Sequence, residues 1–158
     1  MSTVSNKASR HTPYDDSYPS CERTYAELRI YSGFMDPETV TNQLGVAPTS
    51  LQKKGERRVN SLGRTREVIL NGWFLSSESE VSSRDLRQHL DWLLDKIEPS
   101  APQLSNLQTA AGLTMLVNCI WWSAKGQGGP TLWPEQMQRV SALDLECSFD
   151  IAFFGTDE

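Results

Sequence analysis

Four cations crowd one glycine in the run GVAPTSLQKKGERR, residues 45–58: Lys53, Lys54, Arg57 and Arg58 flank Gly55, and Arg64 and Arg66 follow. Backbone N–H groups turned outward around Gly55 would cradle a phosphate or a carboxylate. Arginine adds a bidentate fork and lysine a mobile point charge. Strict strand alternation works against this, because it puts Lys53 and Arg57 on one face and Lys54 and Arg58 on the other. A bulge at Gly55 would regroup them. The simpler reading, and the one the pattern favours, is an exposed strand edge whose charges deter edge-to-edge pairing.

Charge is segregated along the chain. The net charge is −5, yet residues 53–66 carry +5, which leaves −10 elsewhere. A general nucleic-acid binder is usually basic throughout, so any polyanion contact here is expected to be local.

Other chemistry-bearing residues are sparse. His11 and His89 have no cysteine or histidine at metal-ligand spacing, so no metal site is expected. Cys119 and Cys147 fall in apolar strand patterns and read as structural thiols, while Cys21 lies in polar sequence. Asp150 and Glu146 share a strand face without forming a recognisable acid/base pair. The loop KGQGGP, residues 125–130, lacks both nucleotide-binding glycine patterns and reads as a connection. No cofactor is expected and no catalytic constellation stands out, so an enzyme is the least favoured class.

Tryptophan is costly to leave wet, which makes Trp73, Trp121, Trp122 and Trp133 informative. Trp121 and Trp122 must point to opposite faces of one strand. Either an arm or loop covers the second face, or an apolar patch there binds another chain.

These residues need a frame to hold them. A chain of 158 residues with 38% hydrophobic and 22% charged content has room for one domain, burying roughly 70% of its unfolded surface. No apolar run approaches the roughly 20 residues of a membrane span, and no secretory signal follows Lys7 and Arg10. Three cysteines, an odd number, argue against a disulfide framework. The expectation is a soluble cytoplasmic protein with a flexible N-terminal arm over residues 1–22 and a single α+β domain over 23–156.

Within that domain, YAELRIYSG alternates Ala26, Leu28 and Ile30 with polar residues, as a half-covered strand does. MDPETVTNQLG carries Asp36 as N-cap, Pro37 at the first helical position and Gly45 at the C-terminal cap. Two extended segments follow, 50–59 and 64–76, with Asn71-Gly72 read as a bulge in the second. SSRDLRQHLDWLLDKIEP puts Leu86, Leu90, Leu93, Leu94 and Ile97 on one helical face, starting at Ser82 or Ser83. A short helix through Leu104 and Leu107 is expected to cap at Gly112. LTMLVNCIWW is apolar on both faces, so a central strand is predicted. A helix starts near Pro134, and the final strand is predicted to bury Leu145, Cys147, Phe149, Ile151 and Phe153. The order β-α-β-β-α-(α)-β-α-β predicts an α+β two-layer sandwich with a mainly antiparallel sheet: a ferredoxin-like βαββαβ core with an added αβ unit.

The Asp36-Pro37 helix start, the Leu44-Gly45 end, PTSLQKKGERR, Gly72-Trp73, the leucine-rich helix with His89 and the Pro-Glu helix leading into SFDIAFF have a familiar order. Together they resemble a bacterial family known as domain of unknown function 4279, over roughly residues 25–155. The resemblance implies the α+β fold and adds little chemistry. The leading functional expectation is a small interaction module, immunity-like or regulatory, that meets another protein or its own copy. Trp73 and Trp122 would be its anchors, and Lys53, Lys54, Gly55, Arg57, Arg58, Arg64 and Arg66 would steer. The alternative is a local nucleic-acid or phosphate binder at residues 53–66.

Overall fold

The alternation from Ala26 to Ile30 does form a strand, and it is longer than its apolar core: β1 runs Cys21–Ser32. In a computed structural model that describes residues 9–155, the elements that follow are α1 (Pro37–Leu44), β2 (Ser50–Gln52), β3 (Arg57–Val59), β4 (Thr65–Glu67) and β5 (Asn71–Ser76). Then come α2 (Leu86–Ile97), a 3₁₀ turn (Glu98–Ser100), α3 (Ala101–Gln108), β6 (Leu113–Ser123), α4 (Pro134–Ala142) and β7 (Glu146–Ala152).

The fold is α+β. Five strands form one sheet in the order β2-β5-β1-β6-β7, antiparallel except for the β6–β7 pair, and β3 and β4 form a separate two-stranded ribbon. One core joins the inward row of the sheet (Ala26, Leu28, Ile30, Trp73, Val117, Cys119) to Val40 and Leu44 of α1, the apolar stripe of α2, Leu104 and Leu107 of α3, and Val140 of α4. β6 lies inside the sheet, flanked by β1 and β7, as its two apolar faces require.

Local signals set most boundaries. Asp36 Oδ1 accepts from the Glu38 N–H at 2.9 Å, and Gly45 ends α1 at φ 67°, a left-handed conformation that glycine adopts at no steric cost. α2 is capped by Asp85 rather than by Ser82 or Ser83; the Ser83 hydroxyl instead accepts from the Asp85 N–H. α3 ends at Gln108 and is capped by Thr109, three residues before Gly112. Trp133 has no capping oxygen, and the gap is filled from the other side: Gln136 Oε1 accepts the Trp133 N–H at 2.8 Å.

Neither extended segment is one strand. The first breaks at Gly55 (φ 92°), and the second breaks at Val68–Leu70, where the chain passes from ribbon to main sheet. Asn71 is therefore neither a tight turn nor a bulge. Its amide donates to Met35 O and accepts from Lys54 N–H, pinning the base of the ribbon.

The described part of the N-terminal segment is docked, in contrast to the flexible arm expected over 1–22; residues 1–8 lie outside the described residues. The cause is a buried cation. Arg87, fully enclosed, forms a bidentate pair with Asp85 (2.8 and 2.7 Å) and donates to Thr12 O (2.5 Å) and Pro13 O (3.0 Å). Its guanidinium lies 4.7 Å from the Tyr14 ring centre and 5.2 Å from that of Trp133. Tyr14 Oη donates to Asp91 at 2.6 Å, and Trp133 Nε1–H donates to Thr12 O. Burial, with the Asp91 carboxylate beside it, raises the Tyr14 phenol above its ordinary pKa.

Candidate functional site

The ribbon of β3 and β4 is exposed along its whole length. Its loop, Ser61 to Gly63, is a turn closed by the Gly63 N–H on Asn60 O, with Gly63 left-handed at φ 75°. The register sets Arg57 opposite Glu67 and Arg58 directly opposite Arg66, and Asn60 pairs with Arg64. Arg58, Arg64 and Arg66 thus share one face.

The four cations around Gly55 do not converge. Lys53 Nζ turns toward Asp36 (3.9 Å) and Glu38 (3.7 Å) at the start of α1. Arg58 folds back on Glu56 (3.1 Å) and Leu51 O (2.9 Å). Gly55 uses its N–H to bond Val68 O, so no cradle of free amides forms there. Spacing showed the alternation, but only the register reveals the Arg58–Arg66 juxtaposition.

Trp73 is a correction to the anchors proposed from sequence. It is wholly buried on the helix side, with Nε1–H donating to Thr41 Oγ1 at 3.0 Å, because its strand lies between β1 and β2 under α1. Trp121 and Trp122 do face opposite ways. Trp121 is sealed on the helix side, where Tyr18 of the docked segment meets it edge-on at 6.4 Å. Trp122 is half-buried on the outer face between Phe154 (4.8 Å, edge-on) and the Arg23 guanidinium (5.4 Å). The outer face is covered by its own side chains, including the Glu27–Arg29 and Arg23–Glu78 pairs.

The largest departure from expectation lies at the last strand. Leu145 is buried and Cys147 is half-buried, as predicted, but Phe149, Ile151 and Phe153 are 44%, 56% and 51% exposed. The register places Phe149 beside Cys119 and Ile151 beside Trp121, so both lie on the helix side, where a roof was expected. The roof is pulled away. Arg139 of α4 is bonded to Glu98 and Asp95 (2.6 Å each) and lies 3.5 Å from Asp91, and Gln136 donates to Asp91 at 2.9 Å; all these tie α4 to α2 and its 3₁₀ extension. What remains between α4 and β7 is an open groove of about 440 Å³, lined by Leu132, Met137, Val140, Leu145, Cys147 and Phe149 among others. Among the described residues, β7 has no strand partner on its other side. No periodicity in the sequence distinguishes a sheet edge from a sheet interior, so this surface was invisible there.

Two further polar arrangements resemble chemistry, the first of them sealed from solvent. His89 Nε2–H donates to Ser83 O at 2.7 Å, which leaves Nδ1 to accept the Ser77 hydroxyl at 2.6 Å, while Ser77 Oγ accepts the Ala26 N–H at 2.9 Å. Both side chains are buried, and burial lowers the His89 pKa. The chain of bonds fastens α2 to β1. On the neighbouring strands, Cys119 Sγ and Cys147 Sγ lie 3.8 Å apart. Their contact and burial push Cys119 up, and the same contact brings Cys147 down. Cys21, in polar sequence yet buried, is pushed up to about 11 by burial. Among the described residues no cluster of three or more histidine, cysteine or acidic side chains could hold a metal ion, and no helix is long and apolar enough to cross a membrane.

Residues 22–154 match the family described as Domain of unknown function (DUF4279), and the chain belongs to that family. No curated protein and no solved structure matches it.

Proposed function

We propose that the chain is a small cytoplasmic interaction module whose contact surface is the β7 edge together with the open face of α4. One observation carries this reading: Phe149 and Ile151 on the edge strand β7, Phe153 just past its end and Met137 on the adjoining α4 are all at least 44% exposed. Isolated exposed apolar residues need no explanation, but a contiguous row beside a groove fits an interface core. Three free thiols support a reducing compartment. The order β2-β5-β1-β6, antiparallel throughout, supports a two-layer, ferredoxin-like frame to which α4 and β7 add a parallel unit, extending the sheet to the edge used for contact.

The test compares affinity capture from cell extract by the native chain, by Ile151→Lys with Phe149→Ser, and by Arg58→Ala with Arg66→Ala. Loss of the captured chain with the β7 variant alone supports the reading. Identical recovery by all three overturns it.

A second reading is favoured by the opposed Arg58 and Arg66. Like charges directly across a strand pair are destabilising, and in this exposed ribbon the Arg58–Glu56 pair offsets the repulsion on one strand only. A phosphate or nucleic-acid backbone laid on the Arg58, Arg64 and Arg66 face would relieve it. In that case, alanine at the three positions would weaken oligonucleotide retention and flatten its salt dependence; an unchanged slope would exclude the reading.

A further inference from the structure

We propose that the partner of β7 is a second copy of the same chain, added edge to edge and antiparallel about a twofold axis through Phe149. The proposal rests on the reading of β7 as the contact surface and goes further by naming what meets it.

Self-complementarity of charge selects both occupant and register. β7 reads Glu-Cys-Ser-Phe-Asp-Ile-Ala from 146 to 152. A twofold centred on Phe149 sets Phe149 against its own copy, Ser148 against Asp150, Cys147 against Ile151 and Glu146 against Ala152, so all seven residues pair and no acid meets an acid. Ser148 offers a hydroxyl donor to the Asp150 carboxylate across the pair. Shifting the centre to Ser148 opposes Glu146 to Asp150, and shifting it to Asp150 opposes that residue to itself; both carry a like-charge penalty. A basic foreign strand would suit Glu146 and Asp150 equally well, but those two acids sit on the outer face. The apolar row to be covered, Phe149 and Ile151, lies on the other face. An identical strand satisfies both faces at once.

The geometry of the rest of the molecule agrees. In this register the helix sides of both copies lie on the same side of a continuous ten-stranded sheet. The Phe149, Ile151 and Met137 side chains of the two copies then meet along the axis and close the two grooves against each other. The interface is isologous and therefore closes at two copies. β7 has no proline and no lysine, and it is a regular strand of seven residues, whereas the opposite edge, β2, has three. Sheet edges that stay free are usually blunted by such devices.

Sedimentation equilibrium of the full chain, from micromolar to submillimolar concentration, is the first measurement. A species of twice the 17.8 kDa chain mass is expected, and Ile151→Lys, an exposed position whose change leaves the core intact, should raise the dissociation constant at least tenfold. The register is read separately with Ile151→Cys. Within one chain, positions 147 and 151 are roughly 13 Å apart along the strand, too far for a disulfide. Across the proposed axis they are opposed, so mild oxidation should give a covalent dimer on a non-reducing gel, and Cys147→Ser in the same chain should abolish it. A native chain that stays monomeric throughout overturns the proposal, as does a dimer indifferent to Ile151→Lys. A monomer that still loses a captured foreign chain when β7 is altered refutes the second copy and leaves the interaction module standing.

Discussion

Replacing Arg87 with methionine would test whether the buried cation is what holds the N-terminal segment down. The side chain is fully enclosed, and it satisfies both oxygens of Asp85 and two backbone carbonyls, Thr12 O and Pro13 O. Methionine keeps much of the volume and removes every donor. Asp85 would then be left charged and dry, although it still accepts the Arg87-position and Asp15 backbone N–H groups. Breaking a buried pair from one side costs about 3–5 kcal/mol, a large share of the roughly 5–15 kcal/mol that holds a domain of this kind together. In a chain of this length that is a fall of about 10 °C in melting temperature. Adding Asp85→Asn, which keeps the cap and discards the stranded charge, should recover part of the loss. The assay is urea unfolding followed by tryptophan emission, since Trp133 lies 5.2 Å from the guanidinium, together with tryptic cleavage after Arg10. Arg10, now bonded to Glu135 at 2.7 Å and stacked on Trp133, should become a fast cleavage site in Arg87→Met. A loss below about 1 kcal/mol, less than one net hydrogen bond to a charged group contributes, or unchanged cleavage at Arg10, would refute the reasoning.

Three further outcomes follow from the geometry. His89 is held neutral below its ordinary pKa, so between that lowered value and about 6.5 the unfolded chain binds more protons. Its contribution to stability is complete above about pH 6.5 and is lost as pH falls, with a slope of up to about 1.4 kcal/mol per unit. The difference in urea stability between the native chain and His89→Gln should show that slope, and a pH-independent difference would contradict it. Cys147, half-exposed and with its thiol pKa lowered by Cys119, should react first with a disulfide reagent, ahead of buried Cys21 and Cys119; peptide mapping after partial labelling decides this. Gly45→Ala meets no neighbouring atom but forces a side chain into φ 67°, so it should cost about 1–2 kcal/mol in urea unfolding without altering oligomeric state.

The local signals around α1 and β6 carried over to the fold, whereas the caps expected at Ser82 or Ser83 and at Gly112 fall instead at Asp85 and Thr109. Asp36, Pro37 and Gly45 bound α1 because capping is settled within four residues of chain. The two-faced apolar run from Leu113 onward marked an interior strand because it must be covered on both sides. Long-range facts did not carry over. Residues 9–20 looked like a solvated arm, since nothing local announces that Arg87, about 75 residues away, will collect the Thr12 and Pro13 carbonyls. Trp73 read as an anchor because burial beneath α1 depends on strand order. The same holds for the site. Alternation in residues 145–153 located a face but not the edge, and the side on which α4 leans is decided by Arg139 and Gln136 reaching for α2.

The central claim is that β7 and the adjoining face of α4 form the contact surface between two copies of the chain, and backbone amide exchange as a function of protein concentration tests it most directly. Protection that grows with concentration across Glu146–Ala152 and around Met137, with exchange in the β3–β4 ribbon unchanged, is the predicted result. Concentration-independent exchange in β7, alongside new protection elsewhere, would contradict it.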